Sequence, residues 1–170
     1  MKSKPMKLTT TSYAVLAVLD QIGEATSYDI KQSIEKSIQN FWPVPHTTAY
    51  EEPARLAESG YLSVSQEEGG RRRKTYAMTA RGRRALRAWA EDPGVAAPQL
   101  RDELVLKVFA GGDPAGMLDE RTAWHRAKLE ELGAMLEGLH GIEGYERSKL
   151  TLMAGLSYHR RMLQMLEDLS

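Results

Sequence analysis

The feature that most constrains the fold is a change of hydrophobic period near residue 60. Before it, apolar residues recur every three or four positions, which is the spacing of an amphipathic helix. After it, Leu62 and Val64 alternate with serines, and Tyr76 and Met78 alternate beyond a glycine-containing turn. Alternation predicts two short strands, and a hairpin this small needs helices to pack against. We therefore expect a mainly α chain with one small β-hairpin.

Seven helices are predicted around this hairpin. They lie at residues 9–21, 26–40, 46–59, 79–91, 99–110, 113–138 and from 145 onward. Thr26 with Asp29, and Thr48 with Glu51, have the spacing of capping boxes, which mark helix starts. The break Asp92-Pro93-Gly94 separates the chain into two predicted domains, residues 1–92 and 93–170.

Composition excludes several protein classes. The chain has 170 residues, 42% of them hydrophobic and 27% charged, which suits a soluble globular protein of one domain or two small modules. The absence of cysteine excludes disulfides and thiolate metal sites, and it fits a reducing cytoplasm. The longest apolar run, Tyr13–Leu19, is too short to cross a bilayer. We expect a cytoplasmic protein without a membrane span or an export signal.

The charge is zero overall but unevenly distributed. Residues 1–92 carry 14 basic and 11 acidic side chains, whereas residues 93–170 carry 9 basic and 12 acidic ones. Much of the excess lies in the basic run Arg71–Lys74 and in the arginines that follow it. This polarity predicts that the first half meets an anionic partner.

Several short motifs in the first half occur in a characteristic order. They are Ser27-Tyr28-Asp29-Ile30, Phe41-Trp42-Pro43-Val44, Tyr50 with Arg55-Leu56, Gly60-Tyr61-Leu62, Arg73 to Thr79, and Gly82 with Leu86 and Trp89. Over about residues 8–92 the chain resembles the PadR family of bacterial transcriptional regulators. The resemblance implies a winged helix-turn-helix with a C-terminal helical dimerisation domain. It further implies a dimer that binds double-stranded DNA at a two-fold symmetric operator, usually as a repressor released by a small molecule.

The third helix is the predicted recognition helix, because its first turns would enter the major groove. The candidate DNA-binding residues are His46, Thr47, Thr48, Tyr50, Arg55, Arg71, Arg72, Arg73, Lys74 and Lys31. The threonines suit either phosphates or base edges, whereas Arg55 is expected on a phosphate. The basic run at the hairpin tip predicts a wing that grips the DNA backbone.

Two glutamates and a proline in this helix depart from the commoner family pattern. Pro53 would remove a helical hydrogen bond if the helix began at His46, so a start near Thr48 would relieve the strain. Glu51 and Glu52 would repel phosphates and are expected to face away, or Glu51 accepts a bond from a cytosine amino group. The capping role for Glu51 with Thr48 is the favoured interpretation.

The second half carries two seams with heptad-like spacing, which predict helices packed lengthwise and a contact with a second copy. The predicted dimerisation residues are Tyr145, Leu152, Leu156, His159, Leu163 and Leu166. A small aromatic or hydrophobic effector is expected against Trp89, Trp124, Met153, Tyr158 and Met162, although such side chains also fill ordinary cores.

No motif predicts catalysis, a cofactor or a metal. The histidines at 125, 140 and 159 lack ligand spacing and are interpreted as surface or seam residues. The sequence therefore predicts a DNA-binding regulator and not an enzyme. Two alternatives stay open, a protein-interaction module and a helical protein that sequesters small molecules, neither of which would bind DNA.

Overall fold

The computed structural model describes residues 7–66 and 73–170. The chain divides into two compact units, a first that ends at Ala96 and a second that runs from Ala97 to Ser170. The first contains α1 (Thr10–Ile22), β1 (Ala25–Thr26), α2 (Ser27–Lys36), α3 (His46–Glu58), β2 (Leu62–Gln66), β3 (Lys74–Met78) and α4 (Ala80–Glu91). The second contains α5 (Glu103–Phe109), α6 (Ala115–Gly138) and α7 (Glu146–Asp168). The predicted fold class, mainly helical with a small β-sheet, is confirmed.

Side-chain caps begin α1, α2 and α4 of the first unit where the sequence predicts them. The Thr26 hydroxyl accepts a bond from the Asp29 amide at 3.2 Å, and the Asp29 carboxylate accepts one from the Thr26 amide at 3.0 Å. Thr9 caps α1 in the same way, and Thr79 caps α4. Each cap satisfies a backbone N–H that the helix itself leaves without a partner.

The start of α3 agrees with the predicted range of residues 46–59, but the predicted cap does not form. The helix begins at His46 directly after Pro45, so Thr48 lies inside it and the expected capping box with Glu51 does not form. The amide of Ala49 already bonds the Pro45 carbonyl at 3.0 Å, which fixes this early start. Pro53 consequently lies within the helix, where it is buried. The alternative start near Thr48, which would lessen the strain, does not occur.

The sheet has three strands in the order β1-β3-β2, all antiparallel, where the sequence predicted two. Val64 pairs with Tyr76 across the predicted hairpin, and Ala25 pairs with the same tyrosine on the other side. Thr26 therefore has two roles, because it pairs with Thr75 in the sheet and caps α2. This residue joins the start of α2 to the central strand of the wing.

One core fills the first unit. Leu16 of α1, Ile30 of α2 and Leu56 of α3 are each completely buried in it. α4 approaches the chain ahead of β2 closely, since a Cβ at Gly82 would lie 2.3 Å from the carbonyl oxygen of Tyr61. Glycine is required at this point of contact.

The second unit is built around a hairpin of two long helices. α6 and α7 run antiparallel, so that Leu132 meets Leu152 and Leu156 in a small apolar cluster. A Cβ at Gly155 would lie only 3.0 Å from Leu132 Cδ1, so the helices are close there. α5 begins at Glu103, four residues later than predicted, since Asp102 caps it.

The seam predicted for dimerisation is occupied within the chain. Leu152 and Leu156 pack against α6, His159 bonds a histidine of α6, and Leu166 is buried. Tyr145, by contrast, is exposed just before α7, and Leu163 is half-buried. The apolar stripe of α6 thus covers most of the seam within the chain, and the contact with a second copy stays a prediction.

None of the helices in residues 7–66 and 73–170 combines the length and the apolar character that crossing a membrane requires.

Candidate nucleic-acid interface

One face of α3 is open to solvent over the first two turns. Ala49, Pro53 and Leu56 point into the core, and the opposite side presents exposed side chains. The exposed ones there are His46, Thr47, Tyr50 and Glu51, and Thr48 is half-buried beside them. The amino-terminal part of a recognition helix is the part that contacts base edges. The helix therefore presents hydroxyl, imidazole and carboxylate groups where such contacts are made.

A single carboxylate fixes two of the predicted DNA-binding residues. Glu35 Oε1 lies 2.9 Å from Lys31 Nζ and 3.2 Å from His46 Nε2. The hydrogen bond to Glu35 raises the pKa of Lys31, and the nearby Tyr50 and Tyr28 hydroxyls act in the same direction. Glu35 thus links the end of α2 to the start of α3, and it keeps Lys31 cationic.

Arg55 has a different role from the predicted phosphate contact. Its Nε and Nη2 donate to the two carboxylate oxygens of Glu52 at 2.8 and 2.6 Å, and Nη2 also donates to Ser12 Oγ at 3.1 Å. Glu52 is 5% exposed, and a buried carboxylate needs such a bidentate partner. The same contact raises the pKa of Arg55. Arg55 therefore links α3 to α1, while its side chain stays 42% exposed and its phosphate contact stays a prediction.

The wing contributes two described cations. Arg73 and Lys74 are exposed at the start of β3, whereas Arg71 and Arg72 lie outside the described residues. Arg73 and Lys74 border a shallow groove of about 570 Å³ against the first turn of α2. Bonds from the Thr26 hydroxyl and amide, with the charge of Arg73 adding to them, lower the pKa of Asp29 in this groove.

The start of α2 connects the wing to α3, which the sequence did not predict. Tyr28 lines the groove beside Arg73, is 53% exposed, and lies near enough to Lys31 to act on its charge. Lys31 in turn lies near Tyr50 of α3. Arg73, Lys74 and Lys31 therefore lie along one surface that crosses α2 and reaches the exposed side of α3. The exposed Tyr28 in the first turn of a capped helix was the signal available in the sequence.

The second unit contains a buried histidine pair between α6 and α7, at two of the three positions that the sequence predicts as surface or seam residues. His125 Nδ1 and His159 Nδ1 lie 2.8 Å apart, and the two residues are 1% and 3% exposed. His125 Nε2 has no hydrogen-bond partner, so the tautomer in which it carries no proton avoids a buried orphan donor. His125 Nδ1–H then donates to His159. Burial is the main reason why the pKa of each histidine is lowered.

The predicted effector residues do not form one cluster. Trp124 and Tyr158 flank the histidine pair, with ring centroids 4.7 Å from His125 and 5.2 Å from His159 respectively. Met162 is buried and Met153 is exposed on the same helix. Trp89 belongs to the first unit, where it stacks on Tyr13 at 4.6 Å.

Within the described residues, no group of three or more histidine or carboxylate side chains forms a metal site.

Known proteins resemble this chain over most of its length. Residues 15–88 match the model of the Transcriptional regulator PadR-like family. The Negative transcriptional regulator PadR of Bacillus subtilis (strain 168) is 25% identical over 134 residues, which are 75% of this chain and 73% of that protein.

Solved structures agree in fold. The crystal structure of Bacillus subtilis PadR in complex with operator DNA has a TM-score of 0.81 at 23% identity, and the match covers 94% of this chain and 96% of that one. The structure of the same regulator with p-coumaric acid has a TM-score of 0.74 at 22% identity, with the same coverage. The fold of this chain is thus the fold shared by these structures. Within the first unit, residues 15–88 are similar to the PadR-like family of transcriptional regulators.

Proposed function

We propose that this chain is a dimeric, sequence-specific DNA-binding repressor of the cytoplasm, released by a small aromatic or hydrophobic effector. The observation that carries the proposal is the continuous surface formed by the exposed side of α3, Lys31, and the cations at the start of β3. Cations flanking a groove-sized helix suit a duplex, whose two backbones border the major groove.

The roles divide between base edges and phosphates. Thr47, Thr48, Tyr50 and His46 belong to the first two turns of α3, where side chains contact bases and the nearest phosphates. Lys31 on α2 and the wing cations bind the flanking backbone. Arg71 and Arg72 precede Arg73 directly in the sequence and extend the same basic run.

Dimerisation is assigned to the second unit, which we take as the domain predicted at 93–170. Its large exposed apolar side chains, among them Phe109 at 88% and Leu150 at 67%, suit a surface covered by a second copy. In such a dimer the recognition helices lie about 34–36 Å apart, one turn of DNA, and the operator has two-fold symmetry.

Release by an effector needs only differential affinity. A ligand that binds better to the DNA-incompetent arrangement of the dimer lowers DNA affinity by mass action. The relative from Bacillus subtilis was crystallised with p-coumaric acid, a flat aromatic acid. Trp124 and Tyr158 offer aromatic surface of matching chemistry, with Met153 and Met162 on the same helix as Tyr158 and Trp89 in the first unit.

The test is titration of the DNA upstream of the chain's own gene with the intact protein at several salt concentrations. Replacing Arg73 and Lys74 by alanine removes up to two phosphate contacts, so we expect weaker binding and a log–log salt slope reduced by about 0.9 for each contact. The matched control replaces Arg160 and Arg161, two exposed adjacent arginines of α7, and should leave binding unchanged. Equal binding by the wing variant and the wild type would contradict the proposal.

A further inference from the structure

Glu51 is an acidic residue on the very face of α3 that we propose to meet DNA. It is exposed, it follows Tyr50, and it lies one helical turn after Thr47 on the same side. A carboxylate facing a polyanion is repelled by the phosphates unless it accepts a hydrogen bond from the nucleic acid.

Three other acids of the helix-turn-helix are engaged within the protein. Glu52 is buried and paired with Arg55, Glu35 bonds Lys31 and His46, and Asp29 caps α2. The Glu51 carboxylate, in contrast, forms no hydrogen bond or ion pair with any residue of the described ranges. The capping role expected from the sequence is absent, because α3 starts two residues before Thr48. The Glu51 carboxylate is thus free to bond a group outside the chain.

The chemistry of the major groove selects the partner. A carboxylate only accepts hydrogen bonds, so the acceptor pair O6 and N7 of guanine and the O4 of thymine repel it. Adenine offers an amino group beside the acceptor N7, which opposes a second carboxylate oxygen. Cytosine offers its N4 amino group with no acceptor beside it on the groove edge.

We infer that Glu51 is a specificity-determining residue that accepts a hydrogen bond from the N4 amino group of a cytosine in each half-site. The inference rests on the proposed function and names one base that the recognition helix reads. Thr47 lies one helical turn before Glu51 on the same side of α3, and the half-buried Ala54 lies one turn after it. In the proposed complex these two residues meet neighbouring base pairs. The carboxylate then raises specificity at the expense of general affinity for DNA.

The first experiment selects binding sites from a pool of duplexes with a randomised core, using the wild-type protein, Glu51→Gln and Glu51→Ala. We expect the wild type to enrich cytosine at one position of each half-site. Glu51→Gln should shift that position toward adenine, since an amide bonds adenine N6 and N7, and Glu51→Ala should relax it. Glu58→Ala, which removes an exposed acid from the last turn of α3, is the matched control and should keep the wild-type preference.

The second experiment measures the proposed hydrogen bond directly. Replacing the enriched cytosine by pyrimidin-2-one, which lacks the amino group, should weaken wild-type binding by about 5-fold to 150-fold and leave Glu51→Ala unaffected. If Glu51→Ala instead binds every duplex more tightly with unchanged preference, Glu51 only repels phosphates and the inference fails while the proposed function stands. A wild type that enriches no sequence would overturn the proposed function itself.

Discussion

The two units of this chain bury apolar surface in different ways. In the first, fourteen buried apolar residues drawn from α1, α2, α3, the sheet and the loops on either side of α3 form one cluster. In the second, the corresponding cluster has three, Leu132, Leu152 and Leu156, and the next layer of the helix pair is the two histidines. The first unit therefore has a core of its own, and the second is a helix pair held by a narrow seam.

This difference indicates which surfaces of each unit are available to bind a partner. The described part of the second unit leaves many large apolar side chains exposed, among them Leu100, Leu106, Phe109, Trp124, Leu150, Met153 and Tyr158. Exposed apolar side chains in such number mark a surface made to be covered. The first unit places polar and charged groups outward on the surface that we propose for DNA, and the second leaves apolar ones exposed on the unit that we propose for dimerisation and effector binding.

The largest expected effect is a loss of free energy of unfolding when a side chain is removed from the core of the first unit. Leu56→Ala removes a completely buried side chain whose surroundings cannot collapse around it, so we expect a loss of about 4–5 kcal/mol in the free energy of unfolding. Leu132→Ala in the narrow seam of the second unit should cost about 2–3 kcal/mol, because nearby solvent-facing side chains can relax into the gap. Urea unfolding of both variants makes the comparison. Equal losses would show that the two cores are equally well packed.

The histidine pair predicts a smaller, pH-dependent effect in the second unit. Because the folded chain lowers the pKa of His125 and His159 below the unfolded value of about 6.5, the unfolded chain binds more protons. Stability is therefore full above that value and falls as the pH drops below it. Arg121 and Lys128 add to the lowering, whereas Asp102 and Glu131 oppose it.

Variants of the pair test this prediction. At pH 7.5, His159→Leu leaves the donor of His125 without a partner, at a cost of about 1–3 kcal/mol. Replacing both histidines by leucine should remove most of the acid sensitivity, whereas His140→Gln, at an exposed position, should retain it. Thermal unfolding between pH 5 and 8 is the measurement. An acid response that survives in the double variant would assign it to other groups.

The smallest effect on the fold itself is expected at the exposed face of α7. Replacing both Leu150 and Met153 by lysine leaves α7 intact, since the two side chains are 67% and 53% exposed. The replacement places charge where a second copy would pack. We expect monomers by sedimentation, with an unchanged circular dichroism spectrum. Lysines at Ser157 and Gln164, exposed polar positions of the same helix, are the control. A dimer that persists in the Leu150 and Met153 variant would place the interface elsewhere.

Local signals in the sequence predicted most of the first unit. The Thr26 and Asp29 cap and the alternation around Val64 and Tyr76 act between neighbours, so the sequence displays them directly. β1 was missed because two residues are too few to show alternation. The range of α3 was predicted, but its cap was wrong, because Thr48 and Glu51 have the spacing of a capping box while the helix already begins at His46 after Pro45.

Contacts between distant residues were not predictable from spacing. The bond from Arg55 to Ser12 crosses 43 positions of the chain, so no local pattern indicates it. The histidine pair spans 34 positions and exists only because α6 and α7 form a hairpin. The seam of α7 shows the same limit, since one heptad pattern serves equally for a partner within the chain or outside it.

The double role of Thr26 has a mechanical consequence. Thr26 belongs to both the sheet and the cap of α2. A displacement of the wing is therefore transmitted to α2, the helix that packs against α3 with its proposed DNA-contacting face. If the phosphate backbone displaced β3 sideways, α2 would rotate with it. The contact of the wing with the phosphate backbone and the orientation of α3 in the groove would then change together.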